Sequence, residues 1–314
     1  MKSRMLFFIE CMLIGAILFL VSCNHKELIY EQSSTTQVQV IFDWTKSPGA
    51  VVTGMSLWLF PDIGGLPLRY EFPGHKGGMI DVPRGKFNVV CMNNNSEVLQ
   101  YRNLEEWRTF EVFTRRSSQL EPFGLQRNVD AANPEGDPPV LVPDIFWSDH
   151  KSDQIFNSKA KADTLILYPQ DQLCTYTVEV KNVQNLKYVS AVCASLSGLS
   201  GSFFPCTGEL SASRSLLPFV CSSDTDSLIK GNFLTFGLST HIDKSHRLAL
   251  YMILVDGSKF YQMFDVTSQV NSTPDNRNVF IMIDSIVVPT PIVNGNGFQP
   301  SVEDWEIINE NINM

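Results

Sequence analysis

The sequence predicts an all-β protein, with two β-sandwich domains in tandem at about residues 35–168 and 169–314. Three observations carry that prediction. Apolar and polar residues alternate with period two in run after run, which places the apolar side chains on one face of a strand. Turn-forming clusters fall between the runs at sandwich-like spacing. Sustained 3.6-residue periodicity, the helical signature, is scarce.

The first run, Thr36–Trp44, sets Val38, Val40, Phe42 and Trp44 on one face and Gln37, Gln39 and Asp43 on the other, with Ile41 out of phase. In Gly85–Asn93, Phe87, Val89 and Cys91 oppose Lys86 and Asn88. Leu104–Phe110 and Asp144–Asn157 are the two candidates for short helices. The cluster Asn133-Pro134-Glu135-Gly136-Asp137-Pro138-Pro139 predicts a long surface loop. A strand candidate, Thr164–Tyr168, closes the first half. The second half restarts at Leu173. Thr175–Lys181 alternates most cleanly, with Tyr176, Val178 and Val180 against Thr175, Thr177, Glu179 and Lys181. Asn232–Thr240, Arg247–Val255, Lys259–Val266 and Val279–Val288 continue the pattern. Some of these are apolar on both faces, as central strands of a sandwich should be. Ser47-Pro48-Gly49, Asp62-Ile63-Gly64-Gly65, Pro73-Gly74, Pro83-Arg84-Gly85 and Asp256-Gly257 supply the turns.

Composition agrees with a folded chain. Of 314 residues, 44% are hydrophobic, 11% aromatic and only 18% charged, which excludes wholesale disorder. The chain is long enough to bury its core without a disulfide scaffold. Its net charge of −9 excludes nucleic acid as an expected partner, because that binding begins with phosphate neutralisation.

The N-terminus carries the sharpest signal. Lys2 and Arg4 precede an almost wholly apolar run, Met5–Leu20, and Leu20-Val21-Ser22-Cys23 follows. This is the pattern of a secretory signal peptide. Its end has the form of a bacterial lipobox, whose cysteine thiol accepts a diacylglycerol before cleavage. We expect a signal peptide at residues 1–22, lipidation of Cys23, a polar tether at 23–34 and a place on the outer membrane. The sequence does not say which side the protein faces. A lipid of two or three chains holds a protein stably, where one chain does not.

Candidate chemistry is sparse, and no cofactor, metal site or catalytic residue is expected. His241 and His246 are five residues apart, poor spacing for two ligands on one helix face, and no HExxH glutamate accompanies them. Asp224-Thr225-Asp226 lacks the glycine and distal glutamate of a calcium loop. Glu105-Glu106 and Glu303-Asp304 are adjacent pairs, which in a strand point to opposite faces and cannot flank one bond. Neither a GxSxG elbow nor a P-loop is present. Five cysteines follow Cys23 in odd number and without a CxxC. Cys91 and Cys193 read as small buried hydrophobes. An oxidising compartment would permit a Cys206–Cys221 bridge.

The ordered set of motifs resembles a known family. An alternating strand ends in Phe42-Asp43-Trp44. Met55-Ser56-Leu57-Trp58-Leu59-Phe60-Pro61 follows, then Gly77-Gly78-Met79-Ile80-Asp81-Val82-Pro83-Arg84-Gly85. The second half carries Ala194-Ser195-Leu196-Ser197-Gly198-Leu199-Ser200-Gly201, Phe264-Asp265-Val266-Thr267 and Val302-Glu303-Asp304-Trp305. Behind a lipobox, this is similar to the fimbrillin-like lipoproteins of Bacteroidales, in the branch of minor-fimbrium anchor proteins. The resemblance implies two transthyretin-like (Greek-key) β-sandwiches and a non-enzymatic role as fimbria-associated anchor, accessory subunit or adhesin. Its implied partners are the outer membrane, through the lipid, and fimbrial subunits. Shaft subunits of that family lose their first strand by cleavage at an arginine. Here the first arginine after Cys23 is Arg69, beyond the first strand, so residues 36–44 are expected to stay paired.

The alternative is a surface glycan-binding lipoprotein. Aromatic rings stack on sugar faces, and Trp107, set among Glu105, Glu106 and Arg108, is the candidate contact. Trp44 and Trp58 lie in strand runs and read as core. Three tripeptides resemble Bacteroidales O-glycosylation acceptors: Asp163-Thr164-Leu165, Asp226-Ser227-Leu228 and Asp284-Ser285-Ile286. Ser227 is the exposed candidate, because the other two fall in strand runs.

Overall fold

Alternation in the first run becomes a strand whose inner face is closed to solvent. β1 (Thr35–Phe42) buries Thr36, Val38, Val40 and Phe42 and turns Gln37 and Ile41 outward. The structure is a computed structural model, and it describes residues 35–120, 136–158, 162–225, 227–291 and 307–309. The expected signal peptide, Cys23, the tether, Asp226, Glu303-Asp304 and Trp305 lie outside the described residues.

The first half continues with β2 (Met55–Pro61), β3 (Leu68–Phe72), β4 (Gly77–Pro83), β5 (Gly85–Asn93), β6 (Leu99–Arg102), β7 (Glu111–Thr114), β8 (Trp147–Phe156) and β9 (Asp163–Leu167). The second half adds β10 (Gln170–Asp171), β11 (Cys174–Lys181), β12 (Val189–Ser200), β13 (Ser202–Phe204), β14 (Glu209–Leu210), β15 (Arg214–Thr225) and β16 (Leu228–Thr235). It ends with β17 (Arg247–Leu254), β18 (Lys259–Asp265), the short helix α1 (Thr267–Asn271), β19 (Asn278–Asp284) and β20 (Ile307–Asn309). The all-β expectation holds.

Two sheets sandwich the first core. One has the order β4-β1-β9 and the other β10-β8-β5-β2-β3. Val38, Val40 and Phe42 from one meet Leu57, Leu59, Phe87, Val89 and Cys91 from the other. β1 is therefore an inner strand, parallel to β9 on one side and beside β4 on the other. β4 can lie this close because Gly77, at φ +94, has no Cβ; one would collide with the carbonyl oxygen of Val40.

The second half is built from an eight-stranded sheet, β19-β11-β16-β15-β12-β17-β18-β20. β15 pairs with β12 up to Val220 and with β16 from Cys221 onward, so it turns the corner between two faces. Tyr176, Val178 and Val180 of β11 and Leu248, Leu250 and Met252 of β17 share the enclosed core.

A fourth sheet, β14-β13-β7-β6, draws strands from both halves. Against it lies a mixed core. Trp58, Phe60, Val90, Met92, Phe110 and Phe146 come from before residue 168, and Leu173, Phe203, Cys206 and Phe236 from after it. The backbone crosses as well: Val140 N–H donates to Leu216 O at 2.9 Å, and Leu216 N–H to Pro138 O at 3.0 Å.

Three local expectations are corrected. The Asp144–Asn157 helix is strand β8. Its alternation is broken by Asp153, which adopts φ +58 where the register with β5 slips, so period two is lost from the sequence. Leu104–Phe110 makes one closed turn, with Phe110 N–H donating to Glu106 O at 2.9 Å, and no helix. The strand expected at Asn232–Thr240 starts earlier and ends at Thr235. Cys206 and Cys221 are also unbridged. Each is a buried free thiol, one in the mixed core and one in the second-half core.

Candidate interaction surfaces

Two polar assemblies, each around a buried carboxylate, tie the halves together. At the first, Glu111 of β7 is 5% exposed at the mixed sheet. Arg102 of β6 grips it with two bonds, Nε to Oε2 at 2.5 Å and Nη2 to Oε1 at 2.6 Å, and Ser202 Oγ of β13 donates to Oε1. Burial raises the Glu111 pKa, but the Arg102 and Ser202 hydrogen bonds and the Arg102 charge outweigh it and leave the carboxyl below its ordinary 4.5. A group depressed in this way stabilises the fold above its unfolded pKa and loses that contribution as pH falls through the folded one. Glu111→Gln is therefore expected to cost about 1–2 kcal/mol at neutral pH. The gap to the unsubstituted protein should close as pH drops below about 4.5. Melting curves of both proteins across that range test this, and a gap that stays constant in acid refutes it.

The second assembly centres on Arg214, the first residue of β15. Its Nε donates to Asp137 Oδ1 at 3.0 Å, Nη1 to Asp243 O at 2.9 Å and Nη2 to Ser245 O at 3.0 Å. Gly198 N–H donates to the other Asp137 oxygen at 2.8 Å. The side chains of Arg214 and Asp137 are 8% and 4% exposed. Arg214, Asp137, His241 and Asp243 also line an open depression of about 450 Å³. The guanidinium there already has acceptors for its three nitrogens, so the depression presents a satisfied cation rather than a free one.

His241 and His246 do not converge. His241 is exposed and accepts a bond from Asp243 N–H at 3.1 Å, whereas His246 is 1% exposed, with Nδ1 3.0 Å from Ser197 O. Burial holds the His246 pKa below its usual range. Among the described residues, no group of three His, Cys, Asp or Glu could hold a metal ion. The buried cysteines are poor nucleophiles. Desolvation raises all of their pKa values, Cys221 to about 12. Among the described residues, no helix is long and apolar enough to cross a membrane.

Trp107 is half-buried. Its ring packs T-shaped on Phe60 at 5.4 Å and on His150 at 6.2 Å, forming a wall of the mixed core with only part of the ring open. Trp58 is buried, and Trp44 and Trp147 meet edge to face at 5.8 Å against the first core. Ser227 is exposed in the tight turn between β15 and β16. Thr164 points outward from β9. Ser285 is exposed one residue beyond β19 with φ +65, so it lies outside the strand expected to contain it.

Solved structures share this architecture. A candidate adhesin of Bacteroides ovatus ATCC 8483 superposes with a TM-score of 0.64 at 21% identity, over 82% of this chain and 95% of that one. The fimbrial anchor protein Mfa2 of Porphyromonas gingivalis gives 0.50 at 11% identity, over 80% and 90%. Among curated proteins, the candidate fimbrium anchoring subunit Fim4B of Bacteroides ovatus is 23% identical over 197 residues. That match spans 63% of this chain and 55%, about half, of the relative's length. Residues 22–219 match the model of the family described as domain of unknown function DUF5119, and the chain belongs to that family.

Proposed function

We propose that this chain is a non-enzymatic outer-membrane lipoprotein, held through Cys23, that anchors or accompanies a surface fibre. The observation that carries the reading is the enclosure of β1 between β4 and β9, with Val38 and Val40 fully buried. A subunit that keeps its own first strand has no gap there for a neighbour's strand, which suits the end of a fibre better than its shaft. The likeness to Fim4B and to Mfa2 supports the same role. The halves 35–168 and 169–314 are read as two sandwiches joined by the mixed sheet. Fibre contacts would be made at an open sheet edge such as β3, whose unpaired backbone groups can template a partner strand. Ser227 is the proposed glycan acceptor, to be sought by mass spectrometry of the native protein.

Two measurements test the reading. Cys23→Ala should abolish labelling by radioactive palmitate and release the protein from the membrane fraction. Mild crosslinking of intact cells should recover a fibre subunit with the native protein; recovery of the protein alone would count against the anchor role.

A further inference from the structure

The end of the first sandwich at which the chain enters β1 also carries an unusual hairpin tip. Thr36 Oγ1, at the start of β1, donates to Ser158 O at 3.0 Å, just past the end of β8. There Phe156 of β8 pairs with Gly85 of β5, and Asp62 N–H, just past β2, donates to Lys86 O at 3.0 Å. The turn joining β2 to β3 therefore projects from the same pole as Thr35. Two strand spacings and one sheet spacing put it about 15–20 Å from that residue.

The tip is apolar and open. Residues 63–68 read Ile-Gly-Gly-Leu-Pro-Leu, without a charge. Ile63 is 98% exposed and Leu66 69%. Gly64 and Gly65 turn the chain at φ +83 and +113, with nothing within 4 Å of where a Cβ would be. Beside it Ile155 is 61% exposed, and the neighbouring Lys86 is paired, its Nζ 2.7 Å from Asp153 and 3.5 Å from Asp62. Ile242 is as exposed, at 92%, but stands between His241 and Asp243 in the second half.

We propose that the 62–67 hairpin tip is a membrane contact, dipping Ile63 and Leu66 into the bilayer interface beside the lipidated N-terminus. The proposal rests on lipidation at Cys23. The length of chain before Thr35 argues for a bilayer over a protein partner. Residues 24–34 would span about 20 Å as a relaxed tether and at most about 40 Å extended. A lipid at Cys23 thus keeps this pole within reach of the membrane surface at all times. An aliphatic tip there gains from leaving water, and its glycines make it pliable. Such a second contact would fix which end of the sandwich faces the bilayer, a need for any protein that must point a fibre outward.

The test uses the full-length lipidated protein in vesicles of phosphatidylethanolamine and phosphatidylglycerol containing a doxyl-lipid quencher. An environment-sensitive fluorophore is attached at Ile63→Cys or, as control, at Ile242→Cys, and the unsubstituted protein reports background labelling. The label at position 63 should shift to the blue and be quenched about twofold or more relative to position 242. Equal, unquenched signals on protein that floats with the vesicles would overturn the hairpin contact while leaving the lipid anchor standing. Protein that fails to float would overturn the anchor and the hairpin contact with it. Protection of position 63 only on adding a fibre subunit would reassign the tip to a protein partner.

Discussion

Arg214→Met is expected to remove about 3–5 kcal/mol of stability, the cost of leaving one member of a buried ion pair behind. The guanidinium is 8% exposed and Asp137 4%, so little water reaches the abandoned carboxylate. The bond from Gly198 N–H remains, but the opposing charge at 3.0 Å is gone. Lost too are the bonds that hold Asp243 O and Ser245 O, and with them the 241–246 loop, against β15. Against a typical total of about 5–15 kcal/mol, this is about a fifth or more of the stability, and about 10 °C in melting temperature. The double variant Arg214→Met with Asp137→Leu should be the more stable of the two, because both desolvated charges leave together. Urea titrations of the single and double variants decide it. A single variant within about 1 kcal/mol of the unsubstituted protein would show the pair to be dispensable.

That pair also marks where reading the sequence stops. β1 and β11 are legible because each has one face against a core, and period two survives into the sequence as alternation. β5 keeps that alternation only up to Val89, because Val90 and Met92 turn to the mixed core while Val89 and Cys91 face the first. β8 is not legible. Its Trp147 and Phe156 face the first core, its His150 meets Trp107 beside the mixed core, and it carries the left-handed Asp153, so its pattern of burial follows no simple period. Asp137 and Arg214 are 77 residues apart, and Glu111 and Ser202 are 91 apart. No local rule links such partners. The surface loop expected at 133–139 lies partly outside the described residues; where it is described, Asp137 is buried and Pro138 and Val140 bond to Leu216, which its turn-forming composition does not signal. Trp107 shows the reverse error. Its charged neighbours in sequence suggest an open ring, but Phe60 and His150 reach it from strands β2 and β8. The expected lipobox, Cys23 and tether lie outside the described residues, and that expectation rests on a sequence pattern for enzymatic processing rather than on packing.

Phe146→Ala should have a comparable cost, about 3–5 kcal/mol, and a different signature. Phe146 is 1% exposed and stands immediately before β8 in the first half, yet its ring meets Phe203 at 5.5 Å and Phe236 at 6.1 Å, both from the second half. Its carbonyl also accepts Gln172 N–H at 2.9 Å across the junction. Truncation opens a cavity between the halves rather than inside either. The intact protein should melt in one transition, because the β14-β13-β7-β6 sheet and the mixed core oblige the halves to unfold together. With the junction weakened, calorimetry should resolve two transitions. Leu250→Ala, deep in the second-half core, should cost about 2–5 kcal/mol yet keep a single one. Two transitions in the unsubstituted protein would refute the coupling outright. One transition in Phe146→Ala would mean that the strand pairing of the mixed sheet suffices to hold the halves together. The distinction bears on the proposed anchor role, in which a subunit between a membrane and a fibre would transmit load only as far as its weakest internal junction allows.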